Sequence, residues 1–559
     1  MFFETTRLFV LIDKTLIGTK KLMDLVSYII RTFLDLPKQF RISYLPPLLV
    51  YLAAGISGLT AIVGTFFIKD YLDLSAAFLA GLGFWAGLPW ALKMPLGHLV
   101  DLIWKNKNYM VFLGASIIAA SLLIMHALIA HTESMAAILP VETWYVISVI
   151  LAPIGFVVQD VVADAMTVEA VPTHDDNGKL ISNDEIKSMH TTMQTLGRFA
   201  IISGSMLVAL INVVIFSGTD TLNEEQRIEL YAEVYVYALI IPLVSVLGVF
   251  LANFLAYREE KAFFQLGIDV SKNKFQKRKS TEINWSILLG SLAFVIFSVG
   301  IGLSNILFSQ EIVFGGSALI ILFLMKRLLK YMSDSQRNTI IGTATIIFVF
   351  RAMPSPGPGM TWFEIDKLLF DEQFFSILSL LASGLTLVGI VILRPFMANN
   401  SIATIVVVLS LIGAFLFLPS IGMVYGFHLW TSEITGGFVD ARFIAIINTA
   451  LESPLGQVAM IPLLAWIAKN APENMKATFF AVFASFTNLA LSASALGTKY
   501  LNQIFVITRE VKDKVTGNIV SSADYSELGI LMICVALVTL FIPIATIFIV
   551  QNSKYKSVE

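Results

Sequence analysis

Trp144–Val171, WYVISVILAPIGFVVQDVVADAMTVEAV, is too apolar for water and too charged for lipid. The run is long enough to cross the roughly 30 Å hydrocarbon core of a bilayer as a helix. Yet its second half carries three carboxylates, Asp160, Asp164 and Glu169. An ionisable side chain inside a spanning helix is costly, so it is expected to face a water-filled cavity and to serve a substrate or an ion there. Asp160 and Asp164 stand four residues apart and share one helix face. Two carboxylates so close in a low dielectric resist being ionised together, so the pair is expected to exchange protons. Glu169, nearer the helix end, is a further candidate for coupling, capping or gating.

The whole chain has this character. Of 559 residues, 57% are hydrophobic and 14% charged, with a mean hydropathy of +0.79, whereas soluble domains carry about 25% charged residues. The medium is lipid. A net charge of -2 gives no support to nucleic-acid binding. The single cysteine, Cys534, excludes an intrachain disulfide and a thiolate metal site, and the six histidines form no ligand pair at helical spacing, so neither metal nor cofactor is expected. No Gly-x-x-x-x-Gly-Lys-Ser/Thr element is present, so ATP hydrolysis by this chain is not expected. No protease-like Ser/His, metal or paired-Asp motif emerges either, and the chain is not expected to be an enzyme. Residues 1–40 mix Arg7, Lys14, Lys20, Lys21, Arg31 and Lys38 with apolar residues and lack the core and cleavage site of a signal peptide. They read as a basic amphipathic helix on the cytoplasmic surface, within an N-terminal segment 1–44.

Spans are predicted near 46–68, 76–103, 109–131, 144–171, 190–216 and 231–257. After a basic linker from 258 come two more, near 285–308 and 312–331, followed by a second cluster of Lys326, Arg327, Lys330 and Arg337. A second set of six is predicted near 338–358, 374–396, 401–426, 440–469, 475–501 and 526–550. The expected division is therefore an N-terminal six-helix half at 45–257, linker and inserted pair at 258–337, a C-terminal half at 338–551 and a tail at 552–559. About fourteen spans with basic loops on one side place both termini in the cytoplasm.

Charged and polar residues within these spans are the candidate contacts for a small solute. Arg198 and Arg351, one to two turns inside their spans, have the planar fork that suits a carboxylate. Lys93 follows Pro89 and Trp90, and either binds an anionic group or pairs with a carboxylate. Glu452 is the comparable acid of the second half and a candidate for proton coupling, with Gln159, Gln457 and Asn488 as polar partners. Trp85, Trp90 and Phe350 offer faces on which a flat ring can stack.

Gly97-His98-Leu99-Val100-Asp101, followed by Lys105 and Lys107, resembles the Gly-x-x-x-Asp signature of major-facilitator transporters, with Leu102 where an arginine is usual. The resemblance implies an all-α fold of six plus six helices, here with two extra, rocking about a midplane site. Gly97 would allow close helix packing, and Asp101 with Lys105 would latch one conformation. Longer stretches resemble the folate-biopterin transporter family: Leu88–Lys93, Gln159–Pro172, Phe350–Ser355, Ser453–Pro462 and Ala477–Leu489. The Gln-Asp-x-x-x-Asp-Ala stretch is also similar to one in the muropeptide and acetyl-CoA permease family. What the resemblance implies is a monomeric secondary transporter of the bacterial inner membrane, moving folate- or pterin-like organic anions with protons. Muropeptides, acyl-CoA or siderophore-like solutes are the alternative cargo. A membrane receptor or assembly factor is the non-transport alternative.

Overall fold

Each apolar run becomes a helix because hydrocarbon offers no partner to an unpaired backbone N–H or C=O. The computed structural model describes residues 40–557 except 73, 92, 104–105, 173–178, 180, 266–288, 290–295, 299, 303, 305, 331, 459–475 and 513–518. Among the described residues, nine helices are long and apolar enough to cross a membrane. In the first set, α1 (Leu45–Ile56) continues through a short 3-10 turn into α2 (Ala61–Tyr71). Then follow α3 (Ala76–Ala91), α4 (Lys93–Leu102), α5 (Asn108–Ala130), α6 (Val141–Ala170) and α7 (Asn183–Ile215). The set closes with α8 (Glu224–Tyr237) and α9 (Ile240–Gln265). A single long helix of the expected inserted pair is described, α10 (Ser309–Leu329).

The second set comprises α11 (Asp334–Arg351), α12 (Pro358–Asp366), α13 (Glu372–Ile392), α14 (Ile402–Val424), the short α15 (Phe427–Ile434), α16 (Ala441–Glu452) and α17 (Lys476–Ile504). A small antiparallel hairpin, β1 (Val511–Lys512) with β2 (Ile519–Ser521), precedes α18 (Leu528–Gln551). The N-terminal amphipathic segment, most of the basic linker and of the span expected at 285–308, and the second half of the one expected at 440–469 lie outside the described residues. The span expected at 338–358 stops as a helix at Arg351, because the prolines from Pro354 on cannot continue it, and α12 begins only at Pro358, where that span was expected to end.

Two seams join the sets. α3 packs along α17 and α7 along α13, so the second long element of each set lies against the fifth of the other. Such exchange is what two repeats related by an axis along the membrane normal produce. α10 touches α3 from one side and α17 from the other. Polar bonds across the sets gather at the end that carries the β-hairpin. Lys69 pairs with Asp366 at 2.5 Å, and Tyr525 donates to Asp366 at 2.5 Å. Arg509, over the Trp362 ring, donates to the carbonyls of Lys69 and Leu74 at 2.7 and 2.6 Å. Tyr231 and Thr219 of the first set donate to the buried Glu372 of the second.

Candidate functional site

The site is built on two helices that approach their neighbours through glycine. A Cβ on Gly114 of α5 would come within 2.7 Å of the Gly155 carbonyl, so α6 lies close against α5. On α7, a Cβ at Gly197 would come within 2.9 Å of the Tyr51 ring, and Arg198 is the next residue. Small residues at such contacts are how membrane helices gain packing without a hydrophobic driving force.

On α6, Asp160 and Asp164 share a face, as four-residue spacing requires, but a cation lies between them. Lys93 Nζ stands 2.5 Å from Asp160 Oδ2 and 2.7 Å from Asp164 Oδ2. Asp164 Oδ1 takes the Tyr51 hydroxyl at 2.6 Å. Lys93 is the first residue of α4, four positions after Pro89 of α3. The alternatives left open for Lys93 resolve here to carboxylate pairing.

Arg198 acts electrostatically on Asp160 and Tyr51, and also on Arg351 of the second set. Arg198 and Arg351, contributed by opposite sets, therefore stand within electrostatic reach of each other. Arg351 ends α11 at the Pro354–Pro358 break, whose freed backbone groups are taken by α17. Ser494 donates to the Met353 carbonyl at 2.6 Å, Asn502 donates to the Pro356 carbonyl at 3.1 Å, and Ser355 N–H donates to Thr498 Oγ1 at 3.0 Å. The four-residue spacing of 494, 498 and 502 puts these side chains on one stripe. Gly357, at φ +78°, supplies the left-handed residue that the turn needs.

Several expected site residues stand elsewhere. Gln159 is buried on the opposite side of α6, donating to the Val111 carbonyl at 3.1 Å and to Ser245 Oγ at 2.8 Å, so it packs α5, α6 and α9 together. Glu169 pairs with the buried Lys107 at 2.8 Å, within the first set, and not with Lys93. Among the described residues, a Cβ on Gly97 would meet nothing within 4 Å. The Asp101 side chain and Lys105 lie outside what is described. Asn488 donates to the Trp90 carbonyl at 3.1 Å, across the seam and three residues before Lys93. Glu452 closes α16 with its side chain exposed, and Gln457 lies in the turn beyond it. Neither side chain bonds to the Lys93 cluster among the described residues. Trp85 packs edge-on to Phe84 and beside Gly302, away from the cluster. Phe350 packs against the core of the second set. Tyr51 was not foreseen; a tyrosine in an apolar span has no signal of its own, and only the partner identifies it. Among the described residues, no group of three His, Cys, Asp or Glu side chains is placed to hold a metal ion.

A family model, that of the BT1 family, matches residues 54–558. A protein of Synechocystis sp. named folate-biopterin transporter is 20% identical over 445 residues, covering 79% of this chain and 71% of its own. A Plasmodium berghei protein named putative folate transporter 2 is 25% identical over 242 residues, 40% of this chain and 51% of its own. In fold the chain is similar to a POT family transporter solved with 5-aminolevulinic acid, with a TM-score of 0.54, 12% identity and coverage of 92% and 96% of the two chains. It is also similar to the nucleoside transporter NupG, with a TM-score of 0.51 at 13% identity, covering 91% of this chain and 99% of that one.

Proposed function

Because this chain belongs to the BT1 family and is a multi-pass membrane transporter with a major-facilitator fold, we propose that it is a proton-coupled carrier of folate- or pterin-like organic anions. The observation that carries the reading is the single ammonium of Lys93 shared by Asp160 and Asp164 beside Arg198 and Arg351. A carboxylate of the substrate competes with Asp160 and Asp164 for these cations. When a proton neutralises one aspartate, a positive charge is released to the substrate, so proton and anion bind together. An anion held by Arg198 and Arg351 at once draws the two sets toward each other, as alternating access requires.

The names of the relatives, folate-biopterin transporter and putative folate transporter 2, favour folates and pterins as the substrate class. Two arginines from opposite sets within electrostatic reach of each other agree with a glutamate-tailed or otherwise anionic cargo. The six-plus-six division with an inserted pair belongs to the same proposal, since each seam joins one helix from each set. Basic residues at helix ends and in loops, among them Lys107, Lys326, Arg327 and Lys556, favour the cytoplasm for their face. The β-hairpin face is then external, and its polar bonds make this the state closed to the outside.

The test is uptake into proteoliposomes with an imposed pH gradient. Asp160→Asn and Asp164→Asn are each expected to abolish uphill accumulation of a folate while leaving counterflow exchange measurable. Unchanged uphill uptake in both would remove this pair from coupling.

A further inference from the structure

We propose that a recess on the β-hairpin face of the second set binds the head group of an aminophospholipid, with its phosphate on Lys367, His428 and Arg442 and its ammonium on Asp440. The recess, of about 410 Å³, opens between the end of α12, the short α15 and the first turn of α16. Three features make it a place for a ligand rather than a surface dimple. The Nδ1 of His428 is buried and has no partner among the described residues. The ammonium of Lys367, on an exposed side chain, forms no ion pair among the described residues. Arg442 uses Nη2 on the Leu369 carbonyl at 3.1 Å and on Asp371 at 2.8 Å, which leaves Nε and Nη1 for an acceptor. Leu369 itself holds φ +55°, an unfavourable left-handed conformation for leucine that turns its side chain outward.

The rim says what the ligand is attached to. Leu369 and Leu429 line the recess and are 72% and 66% exposed, and Trp430 and Phe438 beside them are 58% and 70% exposed. Such residues at span ends sit at the level where head groups meet acyl chains. A lipid seated here covers that apolar rim with its chains while its head fills the recess; a free phosphate would leave the rim bare.

Charge selects the class of lipid. Lys367 and Arg442 are balanced by Asp440 in the recess and by Asp371 behind it. A neutral set suits a zwitterion better than an anionic head group. Asp440 Oδ1 is taken by the Phe443 N–H at 2.8 Å, and Oδ2 remains for a primary ammonium. A quaternary choline has no N–H to give it.

The experiment is native mass spectrometry of the purified full chain with phosphatidylethanolamine, phosphatidylcholine or phosphatidylglycerol at equal concentration. Wild type is expected to retain phosphatidylethanolamine several-fold more than the other two. Lys367→Gln and His428→Gln should lower retention of all three. Asp440→Asn, which keeps the helix cap, should lose the preference for ethanolamine over choline while still binding lipid. Equal retention of ethanolamine and choline lipids by wild type would overturn the proposal. So would wild-type retention in the folded Lys367→Gln and Asp440→Asn variants. Displacement of the lipid by inorganic phosphate or phosphoethanolamine at the same concentration would show a soluble-anion site instead.

Discussion

Replacing Lys93 by methionine keeps the length and most of the packing of the side chain but deletes the charge that two carboxylates share. Their oxygens lie 2.5 and 2.7 Å from one nitrogen, so they are at most about 5 Å apart. At that separation and an effective dielectric of about 20, two negative charges repel by about 3 kcal/mol. Deleting one partner of a buried ion pair typically costs about 3–5 kcal/mol. Asp164 is 45% exposed, so the lower end applies. The folded variant is expected to escape most of this cost by keeping a proton on one aspartate throughout the cycle, and so to uncouple. In proteoliposomes, Lys93→Met should lose pH-driven accumulation, retain some counterflow, and melt below wild type. The double variants Lys93→Met/Asp160→Asn and Lys93→Met/Asp164→Asn should recover the melting temperature without recovering accumulation, because the surplus charge is gone but the proton site is too. Neighbouring sites that share a partner are expected to be non-additive in this way. A Lys93→Met protein as stable as wild type that still accumulates substrate uphill would refute the reasoning, as would double variants no more stable than the single one.

The remaining expectations concern the arginines, the external seal and the topology. If a substrate carboxylate bridges Arg198 and Arg351, Lys at either position keeps the charge but loses the fork, and Gln should weaken folate binding further, by about 2–5 kcal/mol; wild-type affinity in well-folded Gln variants would exclude them. Lys69→Gln or Asp366→Asn removes the 2.5 Å ion pair between the sets. Spin labels at Ser217 and Ser522 should then show longer distances gaining population, and an unchanged distribution would dismiss the seal. With Cys534 replaced, a cysteine at Ser335 should react only from the cytoplasmic side and one at Ser217 only from outside, and the opposite pattern would invert the orientation.

The sequence alone located the spanning helices, because the cost of exposing a helix to lipid is paid residue by residue along the chain and so is written locally. The spans expected at 109–131, 144–171, 374–396, 401–426 and 526–550 coincide within a few residues with α5, α6, α13, α14 and α18. It also marked the charges that had to be accounted for, since Lys93, Asp160, Asp164, Arg198 and Arg351 stand out against an apolar background. Their partners were decided by tertiary structure. A step of about 100° around the helix axis separates Gln159, buried against Val111 and Ser245, from Asp160, which binds Lys93, although the two are adjacent in the chain. Glu169 looked like a third member of the acid cluster and is instead bound to Lys107. Asn488, expected as a polar contact, donates to the Trp90 carbonyl across the seam, a partner that its own helix does not reveal. Hydropathy and spacing report which side chains share a helix face, but a charge in lipid is satisfied by another helix, and which helix that is depends on how the glycine-lined contacts of α5 with α6 and α1 with α7 bring the faces together.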